Sequence, residues 1–429
     1  TGTVATAAQN SITTATGLTA VGATGTASAI AGIPFYRGDG DNTSIYTHDV
    51  SGTDSTAQGN TAYGIQAMDA ITTGDNNTAI GEQSLTSVTT GSANTAVGRL
   101  SLKTVSTGVN NIAVGYEALK ANNGDANVAI GYQALLVNTT GASNIAIGST
   151  ALGATTTGVR NIAIGSNALD LQDTENDNIA IGYNAMTTDN QGGTTNIAIG
   201  NYSLDALTSG DDNVAIGHDA LTTLTTGLRN TAVGKDALKL TTTANNNTAI
   251  GDRAMDANTT GADNSALGSH ALGGNTTGTG NVAVGYGALF DHTTGNDNTA
   301  IGRNAAANNT TAANNTVVGS QALLTNTTGA NNTAVGKDAL KANTTASNNT
   351  AVGSYALIAN TTGAGNTAVG NDSMDSNTTG ANNTAIGIDS LQANTTADLS
   401  TAVGYKALED NVGTSNTALG ANSGLQNTT

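Results

Sequence analysis

Few residues of this chain are of a type that does chemistry. Asp39, Asp41 and Asn42, in the run Arg37-Gly-Asp-Gly-Asp-Asn42, offer hard oxygen ligands of the kind calcium takes. The run lacks the later Glu of an EF-hand loop, so these three residues are candidates only for a structural ion. Arg37-Gly38-Asp39 also spells an integrin tripeptide, which a Gly/Asp-rich stretch produces by composition alone. The four histidines, His48, His218, His270 and His292, lie far apart and are read as exposed or loop residues. No Ser-His-Asp set and no distinctive carboxylate pair can be assembled. The chain is therefore expected to have no catalytic residue and no cofactor, and not to be an enzyme.

What the sequence repeats is a scaffold. A unit of the form Asn-x-Ala-Ile/Val-Gly, with Tyr63, Leu267 and Leu419 as variants at its fourth place, starts at Asn60 and recurs to give 22 units, with a step of 17 residues almost throughout. The step is 16 after Asn111 and Ser400 and 18 after Asn178. A period of this size marks a solenoid. Numbering each unit from its Asn, position 1 is Asn except at Ser400, position 3 is Ala except at Val317, and position 5 is always Gly. Position 9 is Leu or Met except at Ala306 and Gly424, and all four methionines fall there, as expected of a packing slot. Asn77, Ala79, Ile80, Gly81 and Leu85 represent the unit, as do Asn161, Ala163, Ile164, Gly165 and Leu169.

Gly, Asn and Thr are too frequent for a helical array. Positions 2 to 4 read as a short strand rich in β-branched residues, and Gly at position 5 as a bend. Positions 7 to 10 read as a second short strand, and the frequent Asn-Thr-Thr-Gly at positions 12 to 15 as a turn. The expected fold is an all-β, parallel β-roll or β-solenoid with about 17 residues per coil. At roughly 4.8 Å per coil, 22 coils would span on the order of 100 Å. Residues 1–59 fall outside the period and are read as a cap or junction, and residues 60–429 as the array.

Side chains alternate along a strand, so Ala at position 3 faces one way and positions 2 and 4 the other. Both sets are largely apolar. One can pack inside against position 9, and the other would form a long outer stripe that asks for cover. Further copies of the chain are the simplest cover, so a homotrimeric fibre is expected; the pattern does not decide which face points to the axis. Asn at position 1 and Thr at position 13 or 14 should stack into columns. Five of the ten tyrosines (Tyr116, Tyr132, Tyr183, Tyr286 and Tyr405) share position 6 and are read as surface packing.

Composition agrees. With 13 Lys+Arg against 31 Asp+Glu, a net charge of −18 argues against a nucleic-acid partner. No Cys means no thiolate chemistry, and no apolar run is long enough for membrane insertion. The chain begins at Thr1 without Met and stops within a repeat, so it is expected to be a processed or partial chain with more sequence after Thr429.

Asn161-Ile-Ala-Ile-Gly165 and Asn213-Val-Ala-Ile-Gly217 resemble the left-handed parallel β-roll of trimeric autotransporter adhesin heads (YadA-like). Those heads use shorter coils and place two residues between Asn and Ala, where this chain has one. The units at Asn332–Leu340 and Asn366–Gly380, with the leading Gly2–Thr13, more closely resemble the shafts of marine phage and cyanophage tail fibres. That resemblance implies a homotrimer on a virion or extracellular surface, supporting attachment to a cell-surface glycan or protein receptor. It also implies a self-cleaving chaperone domain, which is not within these residues. A bacterial surface adhesin and an ice- or polysaccharide-binding solenoid are the alternatives.

Overall fold

The computed structural model describes residues 28–30, 33–35, 45–47, 56–171, 173–188 and 192–425. It is an all-β parallel solenoid of about 21 turns with about 17 residues per coil, and no helix occurs among the described residues. Residues 1–133 and 134–429 form two compact units.

In the first unit, β1 (Ser28–Ile30) and β2 (Ile33–Phe35) pair antiparallel. A parallel ladder then runs from β3 (Ile45–Tyr46) through β4 (Thr61–Tyr63) to β8 (Val128–Ile130) in five pairings. β3 precedes the first repeat: Tyr46 stands in register with Ala62, its side chain fully buried. The second unit holds seventeen strands, from β9 (Ile145–Ile147) to β25 (Thr417–Leu419), in sixteen parallel pairings. Register is strict, Ile162, Ala163 and Ile164 facing Ile179, Ala180 and Ile181.

Burial resolves which strand face is inside. Ala79 and Ala163 are fully buried, whereas Ile80 and Ile164 are 42 % and 36 % exposed. The inner set is completed by Asn at position 1 and by positions 8, 9 and 12, as with Asn161, Ala168 and Leu169. A coil this narrow has room for a methyl behind each strand, which is why position 3 is Ala.

The expected second strand at positions 7 to 10 is not there. That arc is a run of turns in which positions 7 and 9 both take left-handed φ, for example Gln83 at +56° and Leu85 at +50°. An L-residue in this region costs about 1–2 kcal/mol. Two features offset the cost. The Leu85 side chain is fully buried, and its N–H donates to the Ser101 carbonyl of the next coil at 3.0 Å. Backbone hydrogen bonding between coils thus continues through the turns, as buried peptide groups require.

Position 17 is also left-handed, at +58° for Leu399, but outside the core. Gly59, Gly280 and Gly365 take the equivalent place with φ of +68° to +69°. Leu399 is 60 % exposed, so its side chain returns little for the strain. Leu399→Gly is expected to stabilise the fold by about 0.5–1 kcal/mol, the αL cost outweighing glycine's extra chain entropy. A rise in thermal midpoint checks it.

Candidate functional site: an uncharged outer face over polar ladders

The Asn column is the innermost polar feature. Asn161 donates from Nδ2 to the Glu175 carbonyl of its own coil at 2.8 Å. Its Oδ1 accepts the backbone N–H of Asn178, one coil on, at 3.0 Å. Asn77 does the same with the Gly91 carbonyl and the Asn94 N–H. Each side chain therefore closes its own coil and ties it to the next. Ser400 reaches the same partners poorly, its Oγ lying 3.4 Å from both the Gly413 carbonyl and the Asn416 nitrogen.

A second Asn column, at position 12, is buried where the sequence suggested only a turn. Asn343, Asn360 and Asn377 each donate to the Asn Oδ1 one coil back, at 2.8 to 3.1 Å, and to their own position-15 carbonyl. The Thr column at position 13 is continuous from Thr208 to Thr378 as donors, each hydroxyl meeting the next coil's position-13 carbonyl, as Thr259 does with Thr276 at 2.9 Å.

His292 sits in the second column; it lies between strands, as a loop residue would, but is fully buried, which corrects its reading as exposed. Its Nε2 lies 2.7 Å from the Gly295 carbonyl and donates to it. The ladder breaks on either side: Asn275 Oδ1 and Asn309 Nδ2 have no hydrogen-bond partner. Burial pushes the imidazole pKa below its ordinary value, against the opposing pull of contacts with the Gly295 and Asn309 backbone. A lowered folded pKa means that the unfolded chain takes up the proton first. Stability is complete above about pH 6.5 and declines as pH falls from there through the folded pKa. His292→Asn is expected to restore the ladder and remove this component, seen as wild-type and variant denaturation midpoints that diverge below about pH 6.5.

Charge gathers on another edge, at positions 6, 7 and 10, and again at positions 15 to 17, where Arg160 pairs with Asp177 at 2.6 Å. Glu82 pairs with Arg99 at 3.1 Å, and Glu117 accepts from Lys120 at 2.7 Å and Gln133 at 2.8 Å. Those two donors hold the Glu117 carboxyl below its usual range. Tyr116 and Tyr132 stack at 5.5 Å, with the Arg99 guanidinium 5.8 Å from the Tyr116 ring. The tyrosines thus join neighbouring coils, as surface packing would have them. His218 and His270 lie on this edge beside Tyr202 and Tyr286.

A hollow of about 700 Å³ lies among Thr156, Leu171, Asp173 and Glu175. The Glu175 carboxylate is engaged by the N–H groups of Asp173, Thr174 and Gly192 and so has a local structural role. Among the described residues no three His, Asp or Glu side chains converge to hold a metal, and no helix is long and apolar enough to cross a membrane. The candidate ligands Asp39, Asp41 and Asn42 lie outside the described residues.

The outer strand face is different from every other surface. No charged residue occupies positions 1 to 5 in any of the 22 units, in a chain with 44 Lys, Arg, Asp and Glu residues. Positions 2 and 4 present Thr, Ile and Val rung over rung, the position-4 side chains commonly about 40 % exposed, as at Ile80, Ile250 and Ile301. No protein-family model and no curated protein matches the chain.

Proposed function

We propose that the chain is the self-associating shaft of a homotrimeric fibre that projects from a virion or extracellular surface and supports attachment to a host receptor. The observation that carries this reading is the uncharged apolar stripe on the outside of a regular acidic solenoid. A monomer rarely leaves such a stripe in water, and depletion of charge is the mark of an interface core. In a chain of net charge −18 the charged side chains of the repeats all lie on the other faces, which repel copies of themselves and leave the stripe as the place where copies can meet.

A shaft also needs stiffness without chemistry. Two Asn ladders and a Thr ladder supply it, and the uniform coils offer no converging acid–base set. The position-13 hydroxyls favour this reading over an ice- or polysaccharide-binding one, because they donate within the protein. Light scattering after size exclusion is expected to give about 126 kDa, three times the 42.0 kDa chain. A stable species at 42 kDa would remove the proposal.

A further inference from the structure

Resting on the self-association just proposed, we infer that an isoleucine block in the second unit, Ile145 to Ile216, sets the axial register in which copies of the chain meet. A face built from identical rungs has a register problem. Sliding one copy past another by one rung, about 4.8 Å, restores the same shape and the same backbone spacing. Only a change of side chain along the stripe can mark a position.

Position 4 cannot mark it, because it is aliphatic in every rung of the second unit. Position 2 changes once. Ile145, Ile162, Ile179, Ile197 and Val214 occupy it in the first five rungs, each with Ile at position 4. From Thr231 to Thr417 it is Thr or Ser, with Val282 the one exception. The stripe is thus fully aliphatic for five rungs and half hydroxyl-bearing afterwards. A slip of n rungs sets n isoleucine positions of one copy against threonines of another, and an antiparallel arrangement sets the whole block against threonines. Each mismatch buries a hydroxyl against an aliphatic side chain, which costs unless the hydroxyl finds a partner.

Size separates register from affinity. Seventeen rungs about 4.8 Å apart and a strand width of roughly 10 Å give on the order of 800 Å² per copy, the share of a standard stable interface. The five-rung block alone covers only about 240 Å² on the same basis. It is too small to hold copies together by itself, and the whole stripe does that. The block decides which rung meets which.

The chain has no Cys, so single-cysteine probes report cleanly. Thr350→Cys and Thr367→Cys lie on adjacent rungs far from the block. Co-expressed with two distinguishable tags and mildly oxidised, they compare like-rung with adjacent-rung disulfides. Cysteines with Cα atoms about 5.5 Å apart in register would be about 7.3 Å apart one rung off, beyond disulfide reach. Like-rung links are expected to exceed adjacent-rung links by about tenfold or more, the bias of about 1.4 kcal/mol. In Ile145→Thr/Ile162→Thr/Ile179→Thr/Ile197→Thr/Val214→Thr the mass should stay that of the assembly while the bias falls at least several-fold. Thr already occupies position 2 in later rungs, so this variant keeps the fold, and circular dichroism verifies it.

Comparable like-rung and adjacent-rung links in the parent, or a bias left unchanged by the five substitutions, would overturn the register assignment while leaving self-association standing. An assembly with no links from position 2, nor from Val352→Cys and Val369→Cys at position 4, would show another face at the seam and overturn it too. A monomer by mass would overturn both readings together.

Discussion

Gly165→Ala is expected to destabilise its stretch of the array by about 3–5 kcal/mol, among the largest effects a single methyl group can have here. Two costs combine. Gly165 has φ of +139°, a conformation that L side chains rarely adopt and that costs about 1–3 kcal/mol when imposed. A Cβ built there would also lie 2.2 Å from the Gly182 carbonyl oxygen of the next coil. That oxygen is carried by a residue whose own N–H donates to the Ile164 carbonyl at 2.8 Å, so it cannot retreat far without loosening the bond between the coils, and an overpacking cost of about 1–3 kcal/mol adds to the strain. Gly141→Ala is the control. Its Cβ would meet Asn138 Oδ1 at 2.3 Å and the Gly158 carbonyl at 2.4 Å, an equally close approach, but its φ is not left-handed. Ala already fills that position at Ala244, Ala312, Ala346 and Ala397, so the coil adjusts, and the change should cost under about 1 kcal/mol. Because a solenoid is a chain of nearest-neighbour couplings, the loss at Gly165 should appear first as faster hydrogen exchange in the neighbouring coils, ahead of any shift in the global denaturation midpoint.

The contrast between these two glycines also explains what could be read from the chain alone. Position 5 admits nothing but Gly, and the bend it implied is there. The strand, its parallel stacking and the first Asn ladder follow from residues that do one thing each. The sign of the strand was harder. Alternation says that Ala163 and Ile164 face opposite ways but not which is inside, and a coil wide enough for Ile would have reversed the answer. The arc at positions 7 to 10 misled for a different reason. Leu85 and Leu169 at positive φ contradict local preference, and only coupling between coils holds them there. Gly287 at position 7 and Gly424 at position 9 were the faint signs that these places are left-handed. His292 and the second Asn ladder were missed because position 12 looked like part of a polar turn. The signal lay across coils: a place that accepts Ile71, Val88, Leu207 or Asn258 is an interior place, and whatever polar group enters it must be satisfied there.

Asn161→Ala should be nearly as damaging as Gly165→Ala, at about 3–5 kcal/mol, and for a different reason. The Asn161 side chain is fully buried and joins two backbone groups that have no access to water. Without it the Asn178 N–H loses its 3.0 Å acceptor and the Glu175 carbonyl loses its 2.8 Å donor. Each orphaned buried group costs about 1–3 kcal/mol, and the vacated amide volume adds a smaller cavity term. Asn161→Ser should fall between wild type and Ala. Ser400 shows what a hydroxyl achieves in this slot, two contacts of 3.4 Å in place of two near 2.9 Å. Asn161→Asp should do no better than Ala, because a carboxylate can accept from Asn178 but cannot donate to Glu175, and it brings a charge into the core. The amide of Asn178 reads all three directly. Its exchange should quicken most in the Ala and Asp variants and less in the Ser variant, by about tenfold for every 1.4 kcal/mol lost. Equal protection in all four proteins would mean that the backbone pairing of Ile162 with Ile179 holds the coils unaided and that the Asn column is dispensable. If the order holds, the column is what allows strands of three residues, too short to be stable alone, to stack as one continuous element, as the proposed shaft requires.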